Sequence, residues 1–175
     1  MSYRQRMTME FEIRAATEAD VAVIACLIRE LADYERAPEA AVATEPQLRE
    51  VLFSETPAAH VLLALENGEP VGFAVYFFNF STWLGRRGLY LEDLFVRPEL
   101  RGRGYGRALL TRLAQIAQDR ECGRMEWAVL DWNEPAIGFY KKLGAQPMDD
   151  WTVFRLTGDG IAHLANEGAS RSASL

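Results

Sequence analysis

"VRPELRGRGYGRALLTRL", Val96–Leu113, joins two different apolar patterns through a segment holding four arginines, Arg97, Arg101, Arg103 and Arg107, and three glycines, Gly102, Gly104 and Gly106. Before it, "LYLEDLFV" reads as a short strand. After it, Leu109, Leu110, Leu113, Ile116 and Ala117 recur at the three-and-four spacing of an amphipathic helix, predicted from Tyr105 to about Gln118. Pro98 marks the stop between them. In a strand, glycine loop and helix of this kind, bare backbone amides converge on an anion at the helix start. Glycine lets the main chain approach closely, flanking guanidiniums add charge, and a diphosphate fits. No Gly-Lys-Ser/Thr follows, so the loop is not a P-loop, and "GRGYGRA" lacks the dinucleotide glycine register. Taken alone, the stretch is also compatible with a surface loop and a solvated arginine face.

Working outward from this junction gives an α+β order. "FEIRAA" predicts a first strand, and Thr17 with Asp20 predicts a capping box that opens a helix through "VAVIACLIRELADY". Thr44 and Gln47 predict a second short helix in "TEPQLREVL". "HVLLALENGEPVGFAVYFF" holds two apolar runs joined by Asn67-Gly68, a hairpin signal because both residues tolerate positive φ. Downstream, "RMEWAVLD" predicts a strand, "EPAIGFYKKLG" a helix closed by Gly144, and "WTVFRL" a last strand. Strands come first as antiparallel neighbours and later alternate with helices. Residues 1–8 and 166–175 are polar or small and are expected to fray, leaving one domain over 9–165.

The chain has 175 residues, 49% of them hydrophobic, which suits one core burying about 70% of the unfolded surface. A net charge of −6 argues against general nucleic-acid affinity, which depends on clustered Lys and Arg. Two cysteines, Cys26 and Cys122, make neither a disulfide framework nor a metal cluster and are expected as buried or half-buried thiols. No apolar run approaches 18 residues and no charged-then-apolar leader is visible, so a cytoplasmic location and no membrane or metal are expected.

"RGRGYG" has the R-x-x-G-x-G form of the pyrophosphate loop of the GCN5-related N-acetyltransferases (GNAT), and its place between strand and helix resembles theirs. "ELADYE", "STWLGRRGLYLEDLFV", "RGRGYGRALL" and "AVLDWNEPAIGFYKKLGA" together resemble the diamine acetyltransferase branch, the spermidine/spermine and thialysine enzymes, over about residues 10 to 165. The resemblance implies a mixed, mostly antiparallel sheet splayed into a V and flanked by helices, with acetyl-CoA in the cleft. It implies that the backbone of Leu94, Phe95 and Val96 pairs with the pantetheine, that Arg101, Gly102, Arg103, Gly104, Tyr105, Gly106 and Arg107 hold the pyrophosphate, and that Asn133 and Pro135 flank the cofactor. A homodimer is implied as well.

The chemistry sets its own demands. A lysine-like amine with a pKa near 10.4 is neutral in only about one molecule in 2,500 at pH 7, and removing the proton costs roughly 4 to 5 kcal/mol. His60 and His163 lie outside the motifs and read as surface or packing residues, which leaves carboxylates. Glu92 is the candidate base. Simple alternation points Leu91, Asp93 and Phe95 one way and Glu92 and Leu94 the other. A strand-edge ion pair is the other reading of Glu92. The resemblance casts Tyr140 as donor to the departing thiolate, where helical spacing beside Phe139 alone would read as core. The amine is expected to attack the thioester directly in a ternary complex.

For the acceptor, the resemblance points to Tyr34, Glu35, Trp83, Glu92, Asp93, Trp127 and Asp150, carboxylates to hold a second charge and aromatics to wall a methylene chain. Polyamine-acetylating members carry Asp where this chain has Ser81, so a small primary amine such as a lysine-like amino acid or diamine is favoured over a polyamine. Acetylation of a protein N-terminus or lysine, and a non-catalytic acetyl-CoA-binding module, are the competing readings.

Overall fold

The computed structural model describes residues 10–172, with side chains as far as residue 167. The fraying expected of residues 1–8 falls outside that range. The chain divides into two compact units between Ala128 and Val129.

The first unit is built on a five-stranded sheet in the order β1 to β5. β1 (Phe11–Ala15), β2 (His60–Glu66), β3 (Glu69–Ser81) and β4 (Arg86–Val96) run antiparallel in succession, and β5 (Arg124–Trp127) joins β4 in parallel. The expected hairpin forms at Asn67 (φ 51) and Gly68 (φ 82). Both sit in the left-handed region demanded by a two-residue turn.

After β1, the amide and hydroxyl of Thr17 donate to Asp20 at 2.7 and 2.9 Å. This is the predicted box, and a short 3-10 turn leads from it into α1 (Val21–Tyr34). Thr44 does the same with Gln47 at 2.9 and 2.8 Å and opens α2 (Glu45–Phe53). Ile24, Leu27 and Leu31 of α1 pack with Val61, Leu63 and Leu65 of β2, Phe73 and Val75 of β3, and Phe95 of β4. The alternate residues Leu62, Ala64, Ala74, Leu89 and Leu91 are buried on the opposite face, where α3 (Tyr105–Asp119) packs through Leu109, Leu110, Leu113 and Ala117.

The second unit holds α4 (Glu134–Lys142), followed by Gly144 at φ 91, and α5 (Asp159–Ser172). Three expectations need correcting. "RMEWAVLD" is a strand only to Trp127, because its parallel pairing with β4 ends at Leu91, where the register of β4 shifts. "WTVFRL" is not a strand. Val153 and Phe154 are 84% and 92% exposed, and without a neighbouring edge to satisfy its amides and carbonyls an apolar run does not become sheet. Finally, helix continues through Ser172 where fraying was expected from Asn166. The i,i+4 pair His163–Glu167 at 3.3 Å spans the point where fraying was expected to begin.

Candidate active site

β4 carries an extra residue. Asp93 pairs with Val75 and Leu91 pairs with Tyr76, so Glu92 is a one-residue bulge opposite that step. Simple alternation fails here. Asp93 shares the α1 face with Val75, and Tyr90 shares it with Phe77, while Leu91 and Leu94 take the α3 face with Tyr76 and Ala74. The bulge therefore moves Leu91 off the face that the sequence pattern assigned it with Asp93 and Phe95.

Past the bulge, β4 has one open edge. The Arg97 amide donates to the Val71 carbonyl at 3.0 Å. Antiparallel alternation then makes Phe95–Phe73 a hydrogen-bonded pair and turns the backbone groups of Leu94 and Val96 away from β3. Pairing with β5 ends at Leu91–Trp127, so among the described residues no strand covers that edge. An extended partner bearing amides is what such an edge accepts.

Carboxylates gather beside it. Asp93 is half-buried, and burial, then Glu92, then Glu35 push its carboxyl up to about 6. Glu35, just past the C-terminal end of α1, is itself raised by desolvation. The negative end of the helix dipole adds to this field, and the place favours a cation. Tyr90 is also raised, by burial and by the charges of Glu92 and Glu126. Tyr34 closes the cluster, its ring 6.4 Å from that of Phe95.

At the other end of this edge lies the glycine loop. Gly102 (φ 79) and Gly104 (φ 93) adopt left-handed conformations, and Gly104 caps α3. The first backbone bond of α3 is Ala108 to Gly104 at 2.9 Å, which leaves the amides of Tyr105, Gly106 and Arg107 outside the helical ladder. A cleft of about 480 Å³ runs between β1 and α3, from Gly104 and Arg107 past Phe11, Ile13 and Gln115, on the side of the helix toward β1.

The arginines divide by role. Arg97 is clamped to Glu30 at 2.9 and 2.8 Å and to the Pro70 carbonyl at 2.8 Å, tying the end of β4 to α1 rather than facing the loop. Nothing in the spacing separates it from the other three. Arg103 reaches Glu66 at 3.2 Å, and the buried Tyr105 hydroxyl donates to the same carboxylate. Only the backbone of Tyr105 is therefore free to face an anion. Arg101 donates Nε to the Val96 carbonyl at 2.9 Å. Sequence reasoning missed Glu66 and Glu30 because their partners lie 37 and 67 residues away.

The remaining predicted residues of the first unit stand away from the carboxylate group. Trp83 stands at the tip of the β3–β4 hairpin, 89% exposed and roughly 20 Å along the strand from Asp93. Trp127 pairs with Leu91 and so belongs to the α3 face. In the second unit, Asn133 caps α4, accepting from the Ala136 amide at 3.4 Å; Pro135 lies in the first turn, and Tyr140 packs on Phe139 with ring centroids 5.4 Å apart. Asp150 is exposed in the turn before Trp151. His60 packs against Tyr76 at 5.3 Å, His163 is a surface residue, and both cysteines are free and half-buried. Among the described residues there is no group of ligands fit for a metal, and no helix is long and apolar enough to cross a membrane.

Known proteins resemble this chain in sequence and fold. The acetyltransferase (GNAT) family pattern matches residues 27–145. A thialysine N-epsilon-acetyltransferase of Bos taurus is 42% identical, the match covering 89% of this chain and 97% of the relative. An L-ornithine N5-acetyltransferase of Arabidopsis thaliana is 32% identical over 85% of each. Among solved structures, an integron cassette protein from the mobile metagenome of V. cholerae superposes with a TM-score of 0.77 at 31% identity, covering 90% of this chain and 99% of that one. With the family pattern spanning most of the chain and these relatives matched nearly end to end, the chain belongs to the GNAT family of acetyltransferases.

Proposed function

We propose that the protein transfers acetyl from acetyl-CoA to the primary amine of a small molecule, a lysine-like amino acid such as thialysine or a short diamine. The observation that carries this reading is the convergence of Glu35, Glu92 and Asp93 at the β4 bulge, beside a strand edge open to an extended donor. A cationic acceptor is drawn to those carboxylates, while Leu94, Phe95 and Val96 align the pantetheine and the amides from Gly102 to Arg107, with Arg101 and Arg103, receive the diphosphate. Asn133 and Pro135 complete the cofactor set in this reading, and Tyr34, Trp127 and Asp150 the acceptor set, while Trp83 at the tip of the β3–β4 hairpin lies beyond the reach of a small amine held at Asp93.

In the reaction, Glu92 takes the ammonium proton, the neutral nitrogen forms the C–N bond, the C–S bond breaks as Tyr140 protonates the departing thiolate, and the second nitrogen proton passes to the tyrosinate, leaving a neutral amide and restoring Tyr140. Positioning in a ternary complex supplies much of the acceleration. Residues 9–165 act as one catalytic domain, and the working form is a homodimer. The exposed apolar run of Trp151, Val153, Phe154 and Leu156 supports the dimer. Two free thiols fit a cytoplasmic, reducing location.

The deciding experiment follows acetyl-CoA consumption with thialysine, lysine, ornithine, short diamines, spermidine and peptides. The expected outcome is turnover with the amino acids and short diamines exceeding that with spermidine or peptides. Turnover with peptides alone, or with none of them, overturns the proposal.

A further inference from the structure

We propose that Arg101 restricts the donor site to thioesters that carry a diphosphate, by occupying the site itself until a diphosphate draws it away. The inference rests on the proposed reading of the β4 edge and glycine loop as the donor surface, and adds to it an internal competitor.

The Val96 carbonyl faces the open edge, where an amide of an extended donor would bond. That acceptor is already engaged, with the Nε–H of Arg101 lying 2.9 Å from it. The same guanidinium sits 4.1 Å from the ring centroid of Tyr34 and 5.9 Å from that of Phe95. One side chain thus covers both a donor-edge carbonyl and an aromatic of the acceptor cluster.

Its hold is of a distinctive kind. Arg97 and Arg103 are paired with the carboxylates of Glu30 and Glu66, whereas no carboxylate pairs with Arg101 among the described residues. Its cation rests on a neutral carbonyl and two ring faces. A charge-assisted bond to phosphate is stronger than one to a neutral oxygen, so a nearby diphosphate outcompetes this seat. Arg101 belongs to the loop whose helix-start amides suit that anion, so the new partner lies within the same turn of chain. A pantetheine thioester without a diphosphate must displace the guanidinium with no charged partner to offer it. Discrimination then follows from a difference between two states of one side chain.

The test compares CoA with S-acetylpantetheine by calorimetry, on the wild type and on Arg101→Ala, Arg101→Lys and Tyr34→Leu. Arg101 is exposed, and thermal melts verify that each variant is folded. Arg101→Ala is expected to bind S-acetylpantetheine about fivefold more tightly and CoA about tenfold more weakly, opposite signs from one substitution. Arg101→Lys keeps the charge but loses the planar face, so the fragment tightens while CoA affinity stays within about threefold. Tyr34→Leu removes the ring seat while keeping the Arg101 charge, and is expected to tighten the fragment about threefold without weakening CoA. If Arg101→Ala weakens CoA and leaves the fragment unchanged, Arg101 is a simple phosphate ligand and the inference falls. Weakening of both falls against it too. Wild type that binds neither molecule overturns the proposed function along with it, whereas wild type that binds CoA leaves that proposal standing whatever the variants do.

Discussion

Asp93 shows how a single side chain registers its surroundings. Burial and the neighbouring charges of Glu92 and Glu35 raise its carboxyl from an ordinary 3.8 to about 6. The folded chain therefore binds that proton more tightly than the unfolded chain. The resulting stabilisation is complete below about pH 4 and is lost as pH rises through about 6. Asp93→Asn cannot ionise, so thermal melts are expected to show it more stable than wild type at pH 7.5 by about 1–3 kcal/mol, and equal near pH 4. An unchanged difference across that range would remove the assigned environment. Tyr140→Phe addresses chemistry instead. Losing the phenolic proton is expected to lower kcat about 10²-fold or more while CoA affinity, read by calorimetry, changes less than about twofold.

At the scale of elements, the bulge in β4 and the tight β3–β4 approach decide where the open edge lies. A Cβ on Gly72 would meet the Phe95 carbonyl at 2.4 Å and the Val96 Cα at 3.1 Å, both backbone atoms that cannot turn aside. Gly72→Ala should therefore push the end of β4 outward. The expectation is a loss of about 1–3 kcal/mol in denaturant unfolding together with weaker CoA binding, because the displaced residues form the donor edge. The Arg97–Glu30 clamp opposes such movement by holding the same strand end to α1.

For the molecule as a whole, the apolar run after Met148 has no ladder within the described chain, and exposed aromatic and aliphatic surface of this kind marks an association site. Light scattering of the proposed dimer should give twice 19.7 kDa, and the double variant Trp151→Ser, Phe154→Ser should give 19.7 kDa. A wild-type monomer at micromolar concentration would refute the dimer.

Local chemistry made much of this legible from the sequence: the Thr17–Asp20 and Thr44–Gln47 boxes, the Asn67-Gly68 turn, the glycine loop and the start of α3 each depend on residues within a few positions of one another. Periodicity also foresaw the buried face of α3. Tertiary structure alone decided the rest. Whether Glu92 breaks alternation depends on the register with Val75 and Tyr76, and whether Arg97, Arg103 and Tyr105 face a ligand depends on Glu30 and Glu66, far away in the chain. "WTVFRL" has the composition of a strand, but a strand exists only where another edge meets its hydrogen bonds. Short-range propensity is written residue by residue, while pairing, burial and charge fields belong to neighbours that only the folded chain brings together.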